Sequence, residues 1–506
     1  MKPSEDLFEL IKSLSRNEKG YFKKYSRLHV QGDGNKYILL FDAIEGQVRY
    51  NEEKLIRKFK EHDFTRQISV AKNYLYHQIM KAMESFHQSI HTQVRSLIHR
   101  TEFLYEKGLY KQALKVLHKA KETARENDMY WSMLELFRHW EMNLALKNLD
   151  FDWVEKISKE ESKELALAYN TKIYRDLFFK MARLHTAYGV ARDKKHLREI
   201  ESIIRSPYLK DESKAKTFEA KLRFWDTLVF YAETLSDEKK TFLYSHKVIR
   251  LFNDHPEKIK QNILSYIGYQ NNMLVSCNTG KKFDDAENYL ADLEKLSGIV
   301  RTTSQQVRLF YTIHHNRLNL LNSSGRFAAA EAHIPEINSF VHENENELSP
   351  FEKTILFTNI AIALFGNALY KECIFWLNKI RNEVSLEART DIESFLRIFY
   401  LIAQYEAGNT ELLPYLIQST YRFLRKKKRL YKFESIVIGF LRRQQSLDTK
   451  EKLLKAFGKL RSEIVLLQKD QYEKNIFEFF DFISWLESRI QKMPFEVIVR
   501  RKAGKR

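Results

Sequence analysis

Glycine and proline are scarce in this chain. Its 506 residues include 15 glycines and 7 prolines, about 3% and 1.4% against usual fractions of about 7% and 5%. Folds built from strands and tight turns need more of both residues. Because 44% of the residues are apolar and 30% are charged, the composition predicts a nearly all-helical, soluble protein.

Cysteine pairs and long apolar runs are also lacking, and no N-terminal leader is expected. Cys277 and Cys373 are the only cysteines and form no CxxC motif, so we expect reduced, buried thiols. The most apolar run, 355–365, is too short to span a bilayer. The first residues enter an amphipathic pattern rather than an apolar signal core. We therefore expect a cytoplasmic protein with no membrane contact.

The usual catalytic and cofactor signatures are missing. The chain has no phosphate-binding glycine loop, no dinucleotide fingerprint, no HExxH and no GxSxG. His87 and His91 stand four residues apart, which is a metal-ligand spacing on one helical face, but no third ligand is placed beside them. His314 and His315 fall on a predicted helix, where polar contacts are expected. The sequence thus predicts a protein that is not an enzyme and holds neither cofactor nor metal.

A helical elbow recurs along the chain. Its clearest copy is Gly325, followed by Phe327 and Ala330. Glycine permits positive φ, the aromatic ring fills the gap between two helices, and alanine lets their backbones approach. Related copies begin at Gly108, at Gly280 and, more loosely, at Asn367.

Turn-forming residues mark these elbows at nearly constant spacing. Such residues occur at Gly108, Asp150, Asp193, Asp237, Gly280, Gly325, Asn367 and Gly408. The intervals are 42, 43, 44, 43, 45, 42 and 41 residues, each enough for two helices that bury their apolar faces only against neighbouring units. The first helices of the hairpins are predicted at 130–147, 169–188, 216–235, 259–277, 305–322 and 351–365.

The elbow resembles that of the tetratricopeptide repeat, which carries glycine, aromatic and alanine at these offsets. The resemblance covers residues 95–445 and implies an all-α, right-handed superhelical solenoid. As a whole, the chain is similar to bacterial tetratricopeptide-like proteins, a likeness that implies no activity. The period of about 42, rather than about 34, is nearer to HEAT or armadillo arrays, which lack this elbow and remain the alternative.

Four segments are expected from this pattern. They are a helical N-terminal unit at 1–92, the repeats at 93–445, capping helices at 446–493 that include a closing helix at 472–491, and a disordered basic tail at 494–506.

In a tetratricopeptide superhelix the first helix of each hairpin lines the concave groove, so the resemblance implies that peptide-binding residues lie there. Four of these helices carry an asparagine seven to nine residues before the elbow. An amide side chain both donates and accepts in one plane, which suits an extended peptide backbone. Hydrogen bonding between helices is the alternative role. The groove candidates are Asn143, Asn272, His315, Asn316, Asn319 and Asn359.

Positive charge exceeds negative charge. With 85 Lys and Arg against 66 Asp and Glu, the net charge is +19, which favours acidic partners. The densest basic stretch, 421–432, interleaves cations with aromatic residues, as surfaces for phosphate backbones or acidic proteins do. A solvated helix end is the alternative. Its cations are Arg422, Arg425, Lys426, Lys427, Lys428, Arg429 and Lys432.

The N-terminal unit shows helical spacing at 6–14, 37–48, 52–60 and 65–87. The last two helices resemble a helix-turn-helix, which implies DNA contacts near the start of the final helix. A packed cap is the alternative, because Ile68, Tyr74, Leu75, Ile79 and Met83 occupy packing positions. The candidate DNA contacts are Arg66, Gln67, Ser69, Lys72 and Asn73.

Two functional hypotheses follow. The first is a scaffold that binds an acidic protein or peptide segment in the groove of the repeats. The second is a DNA-associated transcriptional regulator, in which the N-terminal unit contacts nucleic acid and the repeats sense a signal.

Overall fold

The computed structural model describes residues 5–504 apart from 30–33, 61–66, 88, 189–193, 236, 346, 384–389, 428, 445–446, 448, 471–472, 474–475 and 478. Every regular element within these residues is a helix, which confirms the predicted all-α class. None of the described helices is both long and apolar enough to cross a bilayer. The chain divides into two compact units, residues 1–176 with 211–221 and residues 177–210 with 222–506.

The first unit begins with short helices around a core of its own, in which Ile11, Phe22, Phe41 and Leu75 are buried. A second core follows around α6 to α9. The helix bounds are α1 Asp6–Ser13, α2 Arg16–His29, α3 Gly34–Glu45, α4 Glu52–Lys58, α5 Ile68–Phe86, α6 Ile90–Glu106, α7 Tyr110–Glu126, α8 Tyr130–Glu135 and α9 Met142–Lys147, with a π-helical turn at Leu136–Glu141 between the last two.

Two helices of this region differ from the sequence prediction. No helix was predicted at α2, where cations and other polar residues obscure the apolar spacing around the buried Phe22. The next helix, α10 (Phe151–Tyr188), is continuous for 38 residues. The predicted separate helix at 169–188 is therefore wrong, since neither glycine nor proline interrupts the chain between 151 and 188.

In the second unit, helices contact their neighbours in consecutive pairs, as α15 with α16 and α20 with α21, and the first helices α15, α17 and α20 also contact one another in turn. The bounds are α11 Lys194–Ile204, α12 Phe218–Thr234, α13 Glu238–Asn253, α14 Pro256–Gln261, α15 Ile263–Thr279, α16 Phe283–Lys295, α17 Thr303–Ser323, α18 Phe327–Ala332, α19 Ile334–Glu343, α20 Pro350–Gly366, α21 Tyr370–Glu383, α22 Thr390–Glu406, α23 Leu413–Lys426, α24 Lys432–Gln444, α25 Lys450–Leu467, α26 Phe482–Gln491 and α27 Phe495–Ala503.

The predicted glycine elbows share one backbone geometry. Positive φ values of 72°, 73° and 76° at Gly108, Gly325 and Gly408 confirm the predicted role of glycine. The residue after each glycine donates its N–H to a carbonyl five residues earlier, which closes the helix end. Phe327 and Ala330 of the clearest elbow are fully buried, as expected.

Other elbows reach this geometry without glycine at the turning residue. Positive φ falls on Leu149, Lys281 and Ala368. The turning residue is therefore one position before the predicted Asp150, and one position after the predicted Gly280 and Asn367. Asp237 caps α13 through a hydrogen bond from the Lys240 N–H. Asp193 lies outside the described residues. The predicted helix at 259–277 is broken at Asn262, between α14 and α15.

Candidate functional site

Two of the groove candidates are buried between helices. The Asn316 side chain donates to Asn271 Oδ1 on α15 and to the Thr312 carbonyl, both at 2.8 Å. The Asn359 amide on α20 lies 3.2 Å from His315 Nδ1 on α17. These contacts join successive first helices of the hairpins. Asn316 and Asn359 therefore form hydrogen bonds between helices, which was the alternative to peptide binding.

The remaining groove candidates have different surroundings. Asn272 is exposed, and so is Asn143, which lies in the first unit. Asn319 is half-buried and lines a cavity of about 430 Å³. His315 stacks on Tyr311 at 5.5 Å, and burial lowers the pKa of His315 to about 4. The candidates of the second unit therefore do not form one exposed row.

The C-terminal segment, residues 479–503, packs along the hairpins of the second unit. Its aromatic rings meet rings from four helices of the second unit, and most of these side chains are fully buried. The centroid distances are 4.7 Å for Phe482 to Phe433, 5.0 Å for Phe479 to Phe395, 5.2 Å for Phe480 to Phe365 and 5.4 Å for Phe495 to Phe327. The segment thus covers apolar surface on α18, α20, α22 and α24.

The end of the chain differs from the prediction of a disordered basic tail. Residues Phe495–Ala503 form α27, in which Phe495, Ile498 and Val499 are buried. Arg500 Nε donates to the Gly325 carbonyl at 3.0 Å, so the helix docks on the elbow. The predicted closing helix is also shorter, since α26 begins only at Phe482. Position 472 lies outside the described residues.

A cavity of about 1010 Å³ adjoins α26 and the elbow after α20. Glu406 lies on its wall, with its carboxylate 2.7 Å from the Arg489 guanidinium. Trp485 Nε1 donates to the same carboxylate at 2.7 Å. Burial raises the pKa of Glu406, and Arg489 opposes that shift. Because both carboxylate oxygens are engaged, the arrangement holds α26 on α22 rather than activating a nucleophile.

Four cations at the C-terminal end of α23 are exposed: Arg422, Arg425, Lys426 and Lys427. We call them the basic cluster. None of the four is paired with an acid from the described part of the chain, unlike the neighbouring Lys432, whose Nζ lies 3.6 Å from Asp470. Arg429 is half-buried and contacts the Tyr431 hydroxyl at 3.4 Å. Lys428 lies outside the described residues.

Two buried carboxylates hold the chain just after the basic cluster. Glu473 accepts hydrogen bonds from the N–H groups of Lys432 and Phe433 at 2.9 and 3.2 Å, and so caps α24. Glu434 accepts from the Tyr431 N–H at 3.1 Å. Burial, with a smaller contribution from nearby Glu473, raises the pKa of Glu434 to about 7. No local sequence pattern predicts this pair, because the two residues are 39 positions apart.

Glu434→Gln is expected to stabilise the protein at alkaline pH. The pKa of about 7 in the folded chain exceeds the ordinary 4.5, so the folded form binds more protons than the unfolded form between these values. This group's contribution to stability therefore falls as pH rises through that window, by about 3 kcal/mol in total. Glutamine keeps the acceptor for Tyr431 and removes the charge.

Urea denaturation midpoints at pH 4 and pH 8 test this expectation. The variant should match the wild type at pH 4 and exceed it at pH 8. Glu451→Gln, on the exposed side of α25, is the control and should change neither midpoint. Parallel pH dependences for wild type and Glu434→Gln would contradict the expectation.

The candidate DNA contacts do not form one free surface. Lys72 Nζ lies 2.6 Å from Glu52 Oε2 and 4.8 Å from the Tyr50 ring centre. Gln67, Ser69 and Asn73 are exposed near the start of α5. Arg66 lies outside the described residues. The opposite face of α5 is packed in the N-terminal core, with Ile68, Leu75, Ile79 and Met83 buried and Tyr74 exposed.

The two histidines at metal-ligand spacing do not share a helix. His87 follows the end of α5, and His91 belongs to α6. His87 Nε2 lies 2.5 Å from Glu18 Oε1. The expectation that His87 and His91 lie on one helical face is wrong, because Ser89 caps a new helix between them.

Comparison of the chain with protein-family models, with curated proteins and with solved structures finds no match. The two cysteines are buried, as expected, and unpaired with each other. Burial raises the pKa of Cys277 to about 11.

Proposed function

We propose that this protein is a non-enzymatic interaction scaffold, built as a right-handed solenoid of tetratricopeptide-like hairpins with a period of about 42 residues. Its partner is an acidic protein segment, and the basic cluster is the contact surface. The observation that carries the proposal is that Arg422, Arg425, Lys426 and Lys427 are exposed and form no ion pair with an acid of the described residues.

Local charge balance supports this choice of surface. Some cations on the last helices of the second unit are paired with acids within the protein, as Arg489 is with Glu406 at 2.7 Å and Lys502 with Glu487 at 2.9 Å. The basic cluster instead concentrates four positive charges within two helical turns. Such a patch attracts an acidic chain over about one Debye length, roughly 8 Å at physiological ionic strength.

The C-terminal segment packs on the hairpins, so we place the partner contact on the basic cluster rather than in the groove of the repeats. The hairpins from α18 to α24 already bury the aromatic rings of this segment, and Asn316 and Asn359 join neighbouring helices. A partner that entered there would have to displace buried side chains, each contributing about 1.5–3 kcal/mol. The basic cluster needs no such displacement.

Reversing charge in the basic cluster tests the proposal. Arg422→Glu combined with Lys426→Glu should weaken binding of a labelled Glu-rich peptide at least tenfold, because like charges face each other across the contact. Lys115→Glu with Lys119→Glu, on the exposed side of α7, is the matched control. Both double variants lower the net charge by four, so long-range attraction falls equally in the two.

Fluorescence anisotropy at several salt concentrations gives the affinities, and circular dichroism checks that both variants keep their helix content. Equal affinities for the two double variants would contradict a local contact at the basic cluster. A duplex DNA probe forms the second arm. Sequence-selective, salt-resistant DNA binding that both variants retain would favour the regulator hypothesis instead.

A further inference from the structure

Two histidines and a glutamate converge where the hairpin after Gly325 is interrupted. His314 lies on α17, His333 lies between α18 and α19, and Glu336 is in the first turn of α19. Pro335 has no N–H to continue the helical ladder, which accounts for the break between the two short helices. His333 and Glu336, three residues apart, therefore face the same way, toward α17.

The three side chains lie within reach of a single ion. His314 Nε2 is 3.7 Å from Glu336 Oε1, and His333 Nδ1 is 3.9 Å from Glu336 Oε2. One ligand atom from each residue lies within 4.8 Å of the other two. Ligands about 2.0–2.1 Å from a tetrahedral zinc ion stand roughly 3.3 Å from one another. Small rotations of His333 and Glu336, which are 30% and 60% exposed, bring the three atoms to that spacing.

The surroundings suit a neutral imidazole ligand. Burial lowers the pKa of His314 to about 4, so its ring nitrogen keeps a lone pair at neutral pH. Phe310 stacks on the His314 ring at 4.0 Å and on Phe340 at 3.6 Å, which fixes the ring plane. His314 Nδ1 is buried and has no hydrogen-bond partner among the described residues.

The cation Arg317 lies near the cluster. Arg317, one turn after His314 on α17, contributes to the lowered pKa of His333, after burial. Its guanidinium forms an ion pair with Glu294 of α16. That pairing offsets the positive charge nearest the three ligands, and Glu336 supplies a negative charge of its own.

We propose that His314, His333 and Glu336 bind a divalent transition-metal ion such as Zn²⁺. Two imidazoles and one carboxylate are a zinc ligand set that leaves the fourth position to water. Because Glu336 is exposed, that position opens to solvent. The ion would fasten the break between α18 and α19 to α17 and so stabilise this hairpin.

Cobalt titration of the full-length chain tests the site, since Co²⁺ in four-coordinate geometry absorbs visible light strongly. The chain, freed of metal by dialysis against a chelator, should bind Co²⁺ with such a spectrum, and Zn²⁺ should displace it. His333→Ala and Glu336→Gln should each weaken Co²⁺ binding at least tenfold. His314→Ala is avoided because the residue is buried in the core.

His342→Ala, at an exposed position of the same helix α19, is the matched control and should bind Co²⁺ as the wild type does. Melting temperatures with and without Zn²⁺ give a second readout. Zn²⁺ should raise the melting temperature of the wild type and of His342→Ala, but not of His333→Ala. The proposal is overturned if no Co²⁺ binds, or if His333→Ala and Glu336→Gln bind it as tightly as the control.

Discussion

Replacing Gly366 with alanine is expected to destabilise the second unit by about 3 kcal/mol or more. Gly366 is the last residue of α20, and a Cβ added there would lie 2.1 Å from Cγ of Phe327. Phe327 is buried and packs against Phe495 at 5.4 Å, so its ring has no room to withdraw. Overpacking a well-filled core typically costs about 1–3 kcal/mol, and more when the neighbours cannot move. Urea denaturation midpoints measure the loss.

Gly439→Ala is the matched control for this substitution. Gly439 lies inside α24, and a Cβ there would meet nothing within 4 Å. Alanine is the better helix former, by about 1 kcal/mol, so this variant should be slightly more stable than the wild type. Similar midpoints for Gly366→Ala and Gly439→Ala would show that Phe327 does not pack on α20 as described.

Removing residues 495–506 is expected to disrupt the second unit. The truncation deletes α27, whose Phe495, Ile498 and Val499 are buried. It also exposes the rings of Phe327 and Phe365 that pack against Phe495. At about 1.5–3 kcal/mol for each buried side chain, the loss is about 5 kcal/mol or more. The truncated chain should bind a hydrophobic dye, be cut faster by protease and melt at lower temperature.

A shorter truncation, which removes only 504–506, is the control. It deletes two of the tail's cations and no buried side chain of the described residues, and should melt like the full chain. If the chain ending at Pro494 also melted like the full protein, residues 495–503 would contribute nothing to stability. That result would agree with the disordered tail predicted from the sequence.

The elbows could be predicted from the sequence because their causes are local. Glycine favours positive φ, which Gly108, Gly325 and Gly408 adopt. Phe327 and Ala330, which follow Gly325 within six residues, are buried as their spacing predicts. Helix identity was equally accessible, since scarce glycine and proline leave few places for a helix to end. Two predicted helix boundaries were wrong. The helix predicted at 259–277 is broken at Asn262, where the sequence has no clear break signal, and α10 continues through the position where a break was predicted.

Contacts between distant residues could not be predicted in this way. Arg500 reaches the Gly325 carbonyl across 175 positions, and a run of cations at the chain end is typical of an unfolded tail. The same limit applies to the site. The sequence located the basic cluster, whose charge is local, but not the Glu473 cap that fixes the chain beside it. It also grouped four asparagines by spacing alone, although Asn316 is buried and Asn272 exposed.

Hydrogen–deuterium exchange of the full-length chain, with and without the Glu-rich peptide, locates the binding surface most directly. If the basic cluster is the contact, peptide binding should slow exchange at the C-terminal end of α23 and in the residues leading to α24. Exchange in the N-terminal helices, including α5, should be unchanged. Protection confined to α5, or to the exposed face around Asn272, with no change at α23, would contradict the proposed contact.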